Sequence, residues 1–90
     1  MAFHFYSTDY TYDDGARTFS YSDIETDEMG LEHLFVRVER MKESGSDFAE
    51  MELPYRKFVK AFGFSEDELF DIENYIILNE PLIWDTAREG

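Results

Sequence analysis

Leu34-Phe-Val-Arg-Val-Glu-Arg40, the turn residues Ser44-Gly45-Ser46, and the run Ala49, Met51, Leu53 together decide how this chain folds. Two readings compete for the stretch. Leu31, Leu34, Phe35, Val38 and Met41 fall at helical spacing, with Thr26 available as an N-cap. Residues 34–40, however, alternate and are rich in β-branched side chains, and a second alternating run follows the Gly turn. Two alternating runs flanking such a turn read as a β-hairpin. We take residues 31–53 as a hairpin. The competing reading, with residues 26–43 helical, would give a ββααα chain.

Upstream, Asp14-Gly15 is a type I′ turn signal, because both central positions of that turn need positive φ. Taken as a two-residue loop, it pairs Tyr12 with Arg17, Tyr10 with Phe19, Thr8 with Tyr21 and Tyr6 with Asp23. One face then collects Tyr6, Tyr10, Tyr12, Phe19 and Tyr21. The other collects Ser7, Asp9, Thr11, Thr18, Ser20 and Ser22, with Phe3, Phe5 and Ile24 at the open end. An aromatic face opposite a hydroxyl face suits an antiparallel pair buried on one side. The acidic residues 25–30 then read as a connection.

Downstream, Pro54 suits the first position of a short helix, with Tyr55, Phe58, Val59 and Phe62 on one face and Gly63 as its stop. Ser65-Glu66-Asp67-Glu68 is a capping box, and its acids suit the positive end of a helix dipole. That second helix is expected to run to about Leu78, ended by Asn79 and Pro81, with Leu82-Ile83-Trp84 as an apolar clasp. The expected fold is a single α+β domain over residues 1–90, its antiparallel hairpins covered on one face by two C-terminal helices.

Charge narrows the function. The chain of 90 residues carries a formal net charge of −13. Residues 1–30 and 61–90 hold all of it, −6 and −7, while residues 31–60 balance. Such a surface repels nucleic acid and anionic membranes, which excludes direct binding to either and favours a basic partner. With 18% aromatic residues the chain has large side chains to bury and is expected to fold. No Cys is present, so disulfides and thiolate chemistry are excluded. A reducing compartment suits that composition. The N-terminus lacks the basic and apolar regions of a signal peptide, and no apolar run approaches the roughly 20 residues of a membrane span. The expectation is a cytoplasmic protein.

Phe62-Gly63-Phe64-Ser65 resembles the turn of a helix-turn-helix, a likeness covering Phe58 to Tyr75. The resemblance implies a recognition helix beginning at Ser65, but that segment carries five acids and no base up to Tyr75. Phosphates would be repelled, so a plain αα-hairpin is the reading. The same helix shows one apolar stripe of Leu69, Ile72 and Ile76, with Tyr75 at its edge. A second stripe, Phe70 and Ile77, is flanked by Glu66 and Glu73. Packed under the Pro81–Trp84 tail, that second stripe would be core; left open, it would suit a basic, partly apolar partner.

His4 and His33 are isolated, and Asp9, Asp13 and Asp14 lack the ligand spacing of a calcium loop, so no metal or cofactor is expected. No phosphate loop, nucleophile elbow or His-Glu-x-x-His occurs, and no catalytic residues are assigned. The expectation is a non-enzymatic interaction protein that binds a basic protein surface. One form of it is nucleic-acid mimicry, which would inhibit a nucleic-acid-binding host or defence protein and suits phage or mobile-element biology. The alternative is a small regulator whose acidity serves solubility and whose contacts use the apolar strip of residues 65–78. The candidate contact residues are Glu66, Asp67, Phe70, Asp71, Glu73 and Ile77 on the helix, with Asp23, Glu25, Asp27 and Glu28 on the first connection.

Overall fold

In a computed structural model, residues 2–12 and 15–89 are described. Those residues form β1 (Phe3–Asp9), β2 (Arg17–Ser22), β3 (Glu25–Thr26), β4 (Glu32–Lys42), β5 (Gly45–Leu53), β6 (Lys57–Phe62) and one helix, α1 (Glu66–Glu89). The strands make one antiparallel sheet in the order β1-β2-β4-β5-β6, with β3 paired to the start of β4. The α+β class stands, but with one helix in place of two.

The hairpin of residues 31–53 is present as β4 and β5, and the ββααα alternative is set aside. Its ladder runs from Leu34↔Leu53 to Lys42↔Gly45, so Glu43 and Ser44 form the loop. Inward positions alternate without a break: Leu34, Val36, Val38 and Arg40 on β4, and Asp47, Ala49, Met51 and Leu53 on β5, are buried. A period of two buries one face only, which is why alternation outweighed the looser helical spacing.

Pro54 does not start a helix. Residues 54–56 form a turn, closed by the Arg56 N–H donating to the Glu52 carbonyl at 2.8 Å, and the chain returns as β6 alongside β5. Phe58 and Phe62 satisfy a helical period and a strand period alike. The free backbone groups of β5 settle the matter, because an unpaired inner edge of a sheet is a ready ladder partner. The helix-turn-helix likeness falls with this correction, since its first helix is a strand.

The first hairpin forms in another register. Asp9 pairs with Arg17, Ser7 with Phe19 and His4 with Tyr21, with a bulge between Phe5 and Ser7. Asp14 of the expected turn lies outside the described residues. The Asp9 carboxylate accepts from the Thr11 N–H and hydroxyl at 3.0 and 2.7 Å, curling the chain out of the ladder before Tyr10, which is 80% exposed. Ser22, expected on a solvated face, is buried and accepts from the Phe35 N–H at 2.8 Å. The bulge turns both Tyr6 and Ser7 toward α1. The Tyr6 hydroxyl donates to Asn79 at 2.9 Å, and the Ser7 hydroxyl meets that of Tyr75 at 2.6 Å.

The capping box forms as read: the Glu68 N–H donates to the Ser65 hydroxyl at 3.2 Å, and the Ser65 N–H donates to Glu68 at 2.9 Å. The helix does not stop at Leu78. It runs through Pro81 to Glu89, so residues 82–84 are helix rather than a clasp. An interior proline costs about 3 kcal/mol. Ile83 is fully buried, with Trp84 and Ala87 packed beside it. Burying one large aliphatic side chain stabilises by about 1.5–3 kcal/mol, so that group offsets the proline. The core is aliphatic between helix and sheet: Ile72, Ile76 and Ile83 against Leu34, Val36, Val38, Met51 and Leu53, with Phe19 stacked on Tyr75 at 4.2 Å.

Candidate functional site

α1 offers its outer surface to solvent. At 100° per residue, Phe70, Asn74, Leu78, Pro81 and Leu82 fall within about a third of the circumference, on the side away from Ile72 and Ile76. Phe70 is 63%, Leu78 81% and Leu82 59% exposed. Ile77 is half-buried at the edge of this strip. Since the chain past Pro81 continues the helix, no tail covers the second stripe. Leu78, Leu82 and Asp85 extend the strip beyond the expected residues. A helix ending at Leu78 leaves out Leu82 and Asp85, whereas Leu78 itself, about two turns beyond Phe70, was within reach of the sequence.

Carboxylates run along the strip: at the same 100° step Glu66 and Glu73 flank its Phe70 edge, while Asp67, Asp71, Asp85 and Glu89 fall within its arc. Glu66, Asp67, Asp71, Glu73, Asp85 and Glu89 form no ion pair among the described residues, whereas Glu68 and Glu80 are engaged. Glu80 accepts from Arg56 at 3.0 Å and from the Trp84 indole at 3.2 Å.

The four acids of the first connection lie elsewhere. Asp23 is 2.6 Å from His4 Nε2, in a small recess with Tyr21 and Ala87. Glu25 stands 3.7 Å from His33. Asp27 is a turn organiser whose carboxylate accepts from the Met29 and Leu31 N–H groups at 2.8 and 2.9 Å. Glu28 is exposed. This end of the sheet is tied to the helix C-terminus by the two-pronged Arg88–Glu32 pair, at 3.0 and 3.1 Å. That pair holds the Glu32 carboxyl below its usual range, through Arg88's hydrogen bonds first and its charge second.

The opposite end is locked by an ionic clamp that sequence reading missed. Arg40, 3% exposed, donates to Asp47 at 2.6 and 2.9 Å and to Glu68 at 2.5 Å. Arg17 lies 3.6 Å from the same Glu68 oxygen, and its guanidinium sits 3.5 Å from the Tyr12 ring. Nε and Nη1 of Arg17 find no hydrogen-bond partner among the described residues. The aromatic faces of Tyr12 and Phe64 supply their surroundings instead. Lys42 reaches Asp47 at 2.9 Å from the rim. The parity of β4 was the available signal: Val36, Val38 and Arg40 share one face, so Arg40 had to point inward. The partner Glu68 had no such signal.

Thus Glu66 and Asp67 sit at one end of α1, and Asp23 to Glu28 sit near the other. The separation is about 33 Å at 1.5 Å per residue. The ten candidate residues form two groups, not one cluster, with Asp71, Glu73 and Asp85 spaced between them. A cleft of about 320 Å³ lies beside the clamp, lined by Lys42, Ser44–Asp47, Phe62 and Gly63. Its two ionisable groups, Lys42 and Asp47, are paired with each other. Among the described residues, no cluster of three or more His, Asp or Glu is arranged to hold a metal, and no helix is long and apolar enough to cross a membrane. Compared with protein-family models, curated proteins and solved structures, the chain matches none.

Proposed function

We propose that this chain is an acidic docking protein whose outer helix surface binds a basic, partly apolar protein surface. The observation that carries the reading is the strip Phe70, Leu78 and Leu82, exposed in water and interspersed with six carboxylates that form no ion pair among the described residues. Large apolar side chains held in solvent suit a contact patch, and the surrounding charge selects a partner of opposite sign. Carboxylates steer the encounter and set specificity, while the apolar strip supplies contact area.

Nucleic-acid mimicry is the narrower form of the same reading. Six carboxylates over a helix of 24 residues, about 36 Å long, amount to one per roughly 6 Å. Duplex DNA presents one charge per about 1.7 Å. The helix therefore falls short of phosphate density, and the apolar strip has to carry part of the contact. The reading includes nucleic-acid-binding proteins among the partners without requiring them.

The test compares proteins captured from a cell extract by the wild type and by two variants. Asp67→Lys/Asp71→Lys reverses charge along the strip, and Phe70→Ser/Leu78→Ser removes apolar area. A basic partner held by the wild type and released by both variants is the expected result. Release in about 0.5 M salt is also expected, because the screening length there is about 4 Å. A partner retained by both variants overturns the reading, as does failure to enrich any basic protein.

A further inference from the structure

The sheet has a second face that α1 does not touch. All nine phenylalanines lie among the described residues, and Phe19 alone is buried. Ladder registers place Phe5, Phe35, Phe48 and Phe62 on the outer face, away from the buried positions of the same strands. Phe48 and Phe62 stack there at 5.9 Å, and Phe5 and Phe62 are 66% and 60% exposed. A sheet face meant only for water carries polar side chains at its outward positions. This one carries four aromatic rings.

Its charges also differ from the rest of the molecule. Arg37 and Lys60 face Glu50 and Lys57 faces Glu52 across neighbouring strands, while Glu39 lies two residues along β4 from Arg37. Arg37 bonds Glu50 at 2.5 Å and Glu39 at 3.1 Å, and its guanidinium lies 4.6 Å from the Phe48 ring. With Glu25 beside His33, three bases and four acids leave the face close to neutral, at −1, on a chain whose total is −13. A face holding both signs nearly equally can be complementary to itself, whereas a face of one sign repels its copy. Five strands about 4.8 Å apart and six to eleven residues long span about 640 Å². A standard interface uses about 800 Å² per partner.

We propose that this outer face is the contact between two copies of the chain, packed sheet against sheet. Stacked sheets lie about 10 Å apart, and each helix lies a further layer out, so the two acidic helices end about 30 Å from one another. That distance is about three Debye lengths at 0.1 M salt, which leaves little repulsion between them. The contact is separate from the helix surface assigned above and has the opposite salt response: added salt leaves the dimer intact or tightens it.

Sedimentation equilibrium of the full chain, from about 5 µM to about 500 µM at low and high salt, tests the proposal. The mass should climb from 10.7 kDa toward twice that value. Phe5→Glu/Phe62→Glu should weaken the association by about 100-fold or more without changing the circular dichroism spectrum, since both rings lie outside the core. Phe70→Ser on the helix should leave the mass unchanged. Independently of any variant, Lys57 and Lys60 should become less reactive toward an amine-acylating reagent at the higher concentration. A wild type of monomeric mass throughout overturns the proposal. So does a double variant that associates like the wild type, a Phe70→Ser chain that fails to associate, or unchanged lysine reactivity.

Discussion

Both faces of the sheet carry arginine paired with acid, yet the two arrangements are physically different. Under α1, Arg40 and Asp47 are shut away, with Arg17 and the Phe64 ring beside them and Glu68 closing the clamp at its half-buried rim. On the open face Arg37 bridges the half-exposed Glu39 and the buried Glu50 beneath the Phe48 ring, and its own side chain is 24% exposed, so solvent reaches this network from the Arg37 side. Removing one partner from a buried pair strands a charge out of water, whereas a pair at the surface is replaced by solvent. The same residue types therefore anchor the helix on one face and tune an accessible surface on the other.

The largest test of that difference is Arg40→Ala. It leaves Asp47 and Glu68 without their main donor and should destabilise the fold by about 3–5 kcal/mol in denaturant unfolding. A loss below about 1 kcal/mol would break the comparison. Acid titration sharpens it. Hydrogen bonds from Lys42 and then Arg40 hold the Asp47 carboxyl below its ordinary range. A carboxyl lowered on folding stabilises the fold above its unfolded value, and that contribution is lost as the pH falls through the folded one. The melting temperature should therefore fall as the pH drops below about 4, and Asp47→Asn should flatten that decline while lowering the melting temperature at neutral pH. The smallest effect belongs to the open face. Arg37→Gln should cost about 1–2 kcal/mol, because Glu50 is buried but Lys60 still stands opposite it and solvent reaches Arg37, and a loss matching that of Arg40→Ala would show the two faces to be alike.

Local chemistry was legible wherever one interaction dominated its neighbourhood. The capping box needs only Ser65 and Glu68, three residues apart, and it forms as read. The alternation through Leu34 to Leu53 was legible because a single inward parity runs the length of both strands. Phe58 to Phe62 was not, since its apolar spacing fits a helix and a strand, and the waiting edge of β5 lies outside that segment. The first hairpin was recognised but its register was not. Asp9 ends β1 before Tyr10, and Tyr6 and Ser7 are claimed by Asn79 and Tyr75, about 70 residues away in the chain. Of the candidate site, Phe70 and its bordering acids were visible as a helical stripe. Its continuation through Leu82 was hidden by Pro81.

By itself, then, the sequence determined the charge, its division into two acidic ends, the capped start of a helix and the alternating central hairpin. Each depends on composition or on residues within a few positions of one another. Tertiary structure alone decided that residues 57–62 are a strand, that the helix passes Pro81, and that the two acidic groups stand at opposite ends of α1. It also decided that most aromatic rings stay outside the core. Those outcomes turn on which surfaces meet: one helix covers one face of the sheet with aliphatic side chains, and no helix among the described residues lies over the rings on the other face.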